Sequence, residues 1–139
     1  MEFRRATEAD RRAVAEKSAS RGCFGREPDI IDQVYALEHE GKVLAVGGLK
    51  IMNPTSAFCW MDLATEAKQH HMVFLYRLLR DFIDGVMEEH KIRRLMAVVE
   101  ADFEEGIRLA EHLGFLQEFL MDDWIDGKAA WMYVRYGKG

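Results

Sequence analysis

Cysteine is nearly absent from this chain: Cys23 and Cys59 are the only two among 139 residues. Two thiols cannot build a disulfide framework. With no His/Cys pair at ligand spacing, no metal site is expected. Proline is equally scarce, and Pro28 and Pro54 both fall between apolar runs. No apolar run approaches the roughly 20 residues that cross a bilayer. The opening Met1-Glu2-Phe3-Arg4-Arg5 turns charged at once, unlike a signal peptide. A reducing, cytoplasmic setting and no membrane partner are therefore expected. Basic charge is in deficit, 19 Lys and Arg against 24 Asp and Glu, for a net charge of −5. That balance argues against a dedicated nucleic-acid binder, whose affinity rests on clustered cations. Repeats and low-complexity segments are missing as well.

What is present suffices for one core. Hydrophobic residues make up 49% of the chain, and its length suits a single domain over residues 1–139. Arg4 to Ala6 reads as the end of a short strand. Thr7-Glu8-Ala9-Asp10 resembles a helix start, with Thr7 as cap and Asp10 three residues on. That helix is predicted from Glu8 to about Ser20, with Ala9, Ala13 and Val14 inward, and a short helix over Asp29 to Val34 follows. Tyr35 to Glu38, Val43 to Met52 and Ala57 to Ala64 read as strands. Turns at Glu40-Gly41-Lys42 and Asn53-Pro54-Thr55-Ser56 separate them. From Met72 to Glu88 the apolar spacing becomes helical, at Val73, Tyr76, Leu79, Ile83 and Val86, with Leu75, Leu78 and Phe82 alongside. Leu95 to Val99 is a buried strand. Asp102 is placed to cap a helix that ends at Gly114. Phe115 to Leu120 and Ala130 to Tyr136 form a last hairpin around Asp126-Gly127. The order β-α-β-β-β-α-β-α-β-β predicts an α/β fold, a mostly antiparallel sheet flanked by helices.

That order resembles the GCN5-related N-acetyltransferase superfamily over nearly the whole chain. Ile107-Arg108-Leu109-Ala110-Glu111-His112-Leu113-Gly114-Phe115 is similar to the family's "Ala-Ile-x-Leu-Tyr-x-x-x-Gly-Phe" stretch. Phe3 to Asp10 resembles its "Ile-Arg-x-Ala-Thr-x-x-Asp" opening, and Gly47-Gly48 is common in its third strand. The resemblance implies transfer of an acetyl group from acetyl-CoA to a primary amine. It implies that the fourth and fifth strands splay, that the pantetheine arm lies between them, and that the pyrophosphate rests on amides at the start of the long helix. The family's pyrophosphate loop then falls on His70, His71, Met72, Val73, Phe74 and Leu75, and a fourth-strand amide at Leu63 or Ala64 faces the thioester oxygen.

The chain departs from that pattern. No glycine occurs between Gly48 and Gly85, although backbone must approach a phosphate closely. Ala110 stands where the family often has an acidic tyrosine, and Phe103 where it often has asparagine. A narrower likeness is to divergent, acetyltransferase-like bacteriophage proteins, including a small internal virion protein. It rests on size, Gly47-Gly48, the short hairpin and Gly137-Lys138-Gly139, and implies a host cytoplasm or virion.

Two carboxylates are candidate catalytic residues. Glu100, at the end of the fifth strand, is placed to accept an amine proton, or else pairs with Arg93 or Arg94. Asp62 shares a strand face with Trp60, which suits a cleft for a cationic amine, or is simply a solvated strand residue. Cys59 reads as an inert core thiol. Trp124 and Trp131, with Phe119, Met121 and Met132, suggest an apolar surface for a protein partner or a homodimer. Three functions remain open: an acetyltransferase, a domain that has lost catalysis and acts through surfaces, and a module binding another small ligand in the cleft.

Overall fold

The computed structural model describes residues 1–16, 33–64, 67 and 72–137. Among the described residues, seven strands and three helices follow the predicted order: β1 (Glu2–Arg5), α1 (Glu8–Glu16), β2 (Gln33–His39), β3 (Lys42–Asn53), β4 (Ser56–Leu63), α2 (Met72–Glu89), β5 (Arg94–Glu100), α3 (Glu104–His112), β6 (Leu116–Ile125) and β7 (Lys128–Tyr136). The strands form one sheet in the order β1-β2-β3-β4-β5-β7-β6, antiparallel except for β4 against β5.

Local chemistry explains the boundaries. Thr7 and Asp10 close a reciprocal cap on α1: the Asp10 N–H donates to Thr7 Oγ1 at 3.2 Å and the Thr7 N–H to Asp10 Oδ2 at 2.7 Å. Glu40-Gly41 and Asp126-Gly127 hold positive φ at both central turn positions (51° and 78°, 50° and 78°), the geometry that matches a hairpin's twist. Asn53 Oδ1 accepts from the Thr55 and Ser56 amides and tightens the β3–β4 turn. At the end of α3, Gly114 takes φ 89°. Its N–H reaches Glu111 O and the Phe115 N–H reaches Ala110 O, which closes the helix C-terminus. The Gly-Phe pair of the sequence motif is therefore a helix stop.

Three expectations need correction. Gln33 and Val34 open β2, so no helix reaches Val34; residues 17–32, including the rest of that expected helix and the end of the first one, lie outside the described residues. On α1 the buried residues are Asp10 and Val14, while Ala9 and Ala13 are exposed, because Asp10 turns inward to meet Arg4. The α3 cap position falls on Phe103, which makes no side-chain cap bond, one residue past Asp102. On α2 the helical apolar spacing is borne out: Leu75, Leu79, Val86 and Met87 are buried, and Val73 is 56% exposed at the helix start.

The main core lies between the sheet and α2 with α3. It includes Leu37, Ala45, Met61, Leu79, Leu95, Val99, Leu109 and Tyr133. Phe82 of α2 stacks on Phe3 of β1 at 3.8 Å and meets Tyr35 of β2 edge-on. Tyr76 of α2 stacks on His112 of α3 at 4.7 Å, which ties the two helices together. On the opposite face α1 packs on β3 and β4, and Val98, Ala130 and Met132 form a smaller cluster with Phe58, Met96 and Met121 against it.

Candidate active site between the fourth and fifth strands

β4 and β5 are joined by only three rungs, Ser56↔Arg94, Ala57↔Leu95 and Phe58↔Met96. Beyond them each strand keeps its outer partner. β4 stays on β3 without a register shift from Ala57 to Leu63, and β5 stays on β7 as far as Glu100↔Ala130. The sheet is thus held together on both sides of a wedge that opens toward the C-terminal ends of two parallel strands. Open α/β sheets bind ligands at that end.

The phase of the β3–β4 ladder decides which peptide groups face the wedge. The Ala64 N–H donates to Leu44 O at 2.9 Å. Antiparallel pairs alternate between bonded and non-bonded. Leu63, opposite Ala45, and Met61, opposite Gly47, therefore direct their peptide groups away from β3, toward the opening. Of the two expected donors, Leu63 has the required direction. Ala64 does not, because its amide is engaged by β3.

The side chains sort by face. Phe58, Trp60 and Asp62 alternate onto the α1 side of β4, and Met96, Val98 and Glu100 onto the same side of β5. Asp62 and Glu100, both half-buried, thus stand on opposite banks of the wedge, on one face and at its open end. Trp60 does not form an open cationic-amine platform. It is 6% exposed, and the Arg11 guanidinium of α1 lies 5.8 Å from its ring centroid. Arg11 escaped the sequence reading; its spacing of three from Val14 was the available signal.

At the start of α2, Met72 is half-buried, Val73 and Phe74 are about half exposed, and Leu75 is fully buried in the core. His70 and His71 lie outside the described residues. Main-chain N–H groups of a helix's first turn attract an anion, but the described part of this one has no glycine to admit close approach. Beyond the third rung the facing edges of β4 and β5 are not paired with each other. For a diphosphate the described residues provide helix amides flanked by Val73 and Phe74.

Burial in apolar surroundings pushes the Cys59 thiol pKa up, and a thiolate nucleophile is not favoured there. Ala110, in place of the expected acid, is fully buried against the core. The expected apolar hairpin surface is divided. Trp131 packs on the main core and Met132 is buried in the second cluster, while Phe119 and Trp124 remain about half exposed. Among the described residues no group of three or more His, Cys, Asp or Glu is placed to hold a metal, and no helix is long and apolar enough to cross a membrane.

No family model and no curated sequence matches the chain. Solved structures do. A mutant of spermidine N-acetyltransferase from Vibrio cholerae superposes with a TM-score of 0.75 at 14% identity, covering 98% of this chain and 95% of that one. Ribosomal-protein-alanine N-acetyltransferase from Brucella melitensis gives 0.68 at 18%, covering 98% and 99%. Ribosomal-protein-S5-alanine acetyltransferase from Vibrio fischeri gives 0.74 at 10%, covering 98% and 92%. The seven-stranded wedge with its three helices is the mixed α/β fold of the GCN5-related N-acetyltransferases.

Proposed function

We propose that this protein is an N-acyltransferase of the GCN5-related superfamily, using an acyl-CoA such as acetyl-CoA and a primary amine. The observation that carries the reading is the wedge: three rungs, then divergence, with strand-edge amides and two carboxylates facing it in an acetyltransferase fold. When bound, the thioester supplies an acyl carbon that the amine nitrogen attacks while the C–S bond breaks, and the leaving thiolate takes its proton from water.

The chain's own residues serve that transfer. The Leu63 N–H is directed to where negative charge develops on the carbonyl oxygen. Glu100 accepts the proton that the amine loses, directly or through one water. Asp62, across the wedge, favours approach of the cationic amine before it deprotonates. The wedge holds donor and acceptor in line, which removes translational freedom from the reaction. Isothermal titration with acetyl-CoA, followed by a thiol-release assay over a panel of primary amines, tests the reading; absence of both binding and release refutes it.

A second reading has specific support. The glycine-free first turn of α2 and the buried Ala110 remove two usual parts of the machinery. On that reading catalysis is lost and the domain acts through its surfaces, as a virion or host-interaction component in a bacteriophage. It expects no thermal shift with millimolar acetyl-CoA, and a clear shift counts against it.

A further inference from the structure

Tyr76, Arg80 and Asp84 follow one another at intervals of four and form one stripe along α2. That stripe faces the end of α3 and β7: Tyr76 stacks on His112, and Arg135 of β7 donates through Nη2 to Asp84 Oδ1. Between these contacts lies Gly114 with its bare Cα. A Cβ built there would lie 3.1 Å from Arg135 Nε and 3.6 Å from Arg80 Nη2. Two guanidiniums, one from α2 and one from β7, thus border the same point. Like charges this close repel, and an anion between them reverses the sign.

The neighbouring groups leave that anion wanting. Only 12% of the Arg135 side chain is exposed, and its Nη1 is buried without an acceptor among the described residues. A buried donor left unpaired bears its full desolvation cost. Among the described residues Asp84 alone forms an ion pair with either guanidinium, and it stands at the rim, 61% exposed. The partial negative charge at the C-terminus of α3 favours cations here, yet supplies no acceptor for Nη1.

We propose that Arg80 and Arg135, at the Gly114 corner, bind a tetrahedral oxyanion: phosphate, free or as a monoester. Guanidinium forks suit phosphate oxygens, and two forks on different elements need an anion with oxygens in more than one plane. The site is separate from the wedge. Arg135 pairs with Leu95 near the start of β5, five residues or about 17 Å from Glu100 at the open end. The assignment does not depend on the acyltransferase reading. A bound anion ties α2, which follows β4, to β7 across the β4–β5 junction.

The test is isothermal titration of the full chain with inorganic phosphate at fixed ionic strength. One site is expected, with sulfate competing and acetate far weaker. Arg80→Gln, at an exposed position, is expected to weaken phosphate about ten-fold or more, as loss of a charge-assisted hydrogen bond does. Asp84→Asn releases Arg135 Nη2 and is expected to tighten phosphate several-fold. Arg77→Gln, one turn earlier on α2, is expected to change little, and saturating acetyl-CoA to leave phosphate affinity unaltered. Methyl phosphate separates the two sources: binding at least as tight as inorganic phosphate supports a monoester, and weaker binding supports the free ion. The assignment is overturned by no heat at millimolar phosphate, by acetate binding equally well, or by displacement with acetyl-CoA. Equal losses in Arg77→Gln and Arg80→Gln, the mark of a diffuse field, or unchanged affinity in Asp84→Asn also overturn it.

Discussion

Arg4 holds two carboxylates at once. Its guanidinium donates to both Asp10 oxygens at 2.6 and 3.0 Å and to Glu38 at 2.6 Å, fastening β1, α1 and β2. That hydrogen bond, with the Thr7 amide, holds the Asp10 pKa down from 3.8 to about 2 despite burial. A depressed carboxylate pKa contributes stability above its unfolded value and loses it as pH falls through the folded one. The clamp should therefore weaken between pH 3.8 and about 2, by about 1–2 kcal/mol after allowing for the partly exposed Arg4. Urea midpoints of the wild type and Asp10→Asn across that range check it. The variant should be less stable at pH 6 and converge on the wild type at pH 2; a constant difference rules the clamp out as the cause. At the wedge, Glu100→Gln should lower turnover by about 10²–10⁴-fold, because an amide cannot take the amine's proton. Asp62→Asn should chiefly raise KM for a cationic amine, and more so at low salt. Steady-state kinetics separate the two, and an Asp62→Asn effect insensitive to salt would remove the steering role.

Within the elements, two helical glycines make opposite predictions. In α2, a Cβ at Gly85 meets nothing within 4 Å, so Gly85→Ala should stabilise by about 0.4–1 kcal/mol through helix propensity and a stiffer unfolded chain. In α3, a Cβ at Gly106 would lie 2.6 Å from the Phe103 ring and 3.1 Å from Val99 Cγ1. Gly106→Ala should therefore destabilise by about 1–3 kcal/mol, since the helix must lift off β5. Thermal denaturation of both variants decides it, and equal shifts would contradict the packing account. The elements were legible from sequence wherever local chemistry set them. Thr7 with Asp10, Glu40-Gly41, Asp126-Gly127 and Gly114-Phe115 each carried their own geometry. Errors came where a distant partner decided. Arg4 drew Asp10 inward and left Ala9 and Ala13 exposed. The two faces of β7 parted Trp131 from Met132.

Across the whole molecule the sheet consists of two halves, β1 to β4 and β5, β7 and β6, joined through three rungs and a shared core. Alternation along β4 foretold that Asp62 and Met61 face opposite sides. No local pattern foretold that the Ala64 amide would be engaged by Leu44 while Leu63 turns to the wedge, because that depends on ladder phase between strands. The same division makes the last prediction. Peptide groups at the wedge's open end sit between halves that only the core and three rungs hold together, so they exchange with solvent through local opening more readily than those inside the β2–β3 ladder. An acyl-CoA arm lying along β4 as an added strand would bridge the halves. Hydrogen exchange should then slow at Met61 to Leu63 and at Val98 to Glu100, with little change in β1 and β2. At one hundred times the dissociation constant the linked gain in stability is about 2.7 kcal/mol. Protection confined to the exposed start of α2, with β4 and β5 unchanged, would mean that the cofactor is held outside the wedge, and the acyltransferase reading would lose the geometry it depends on.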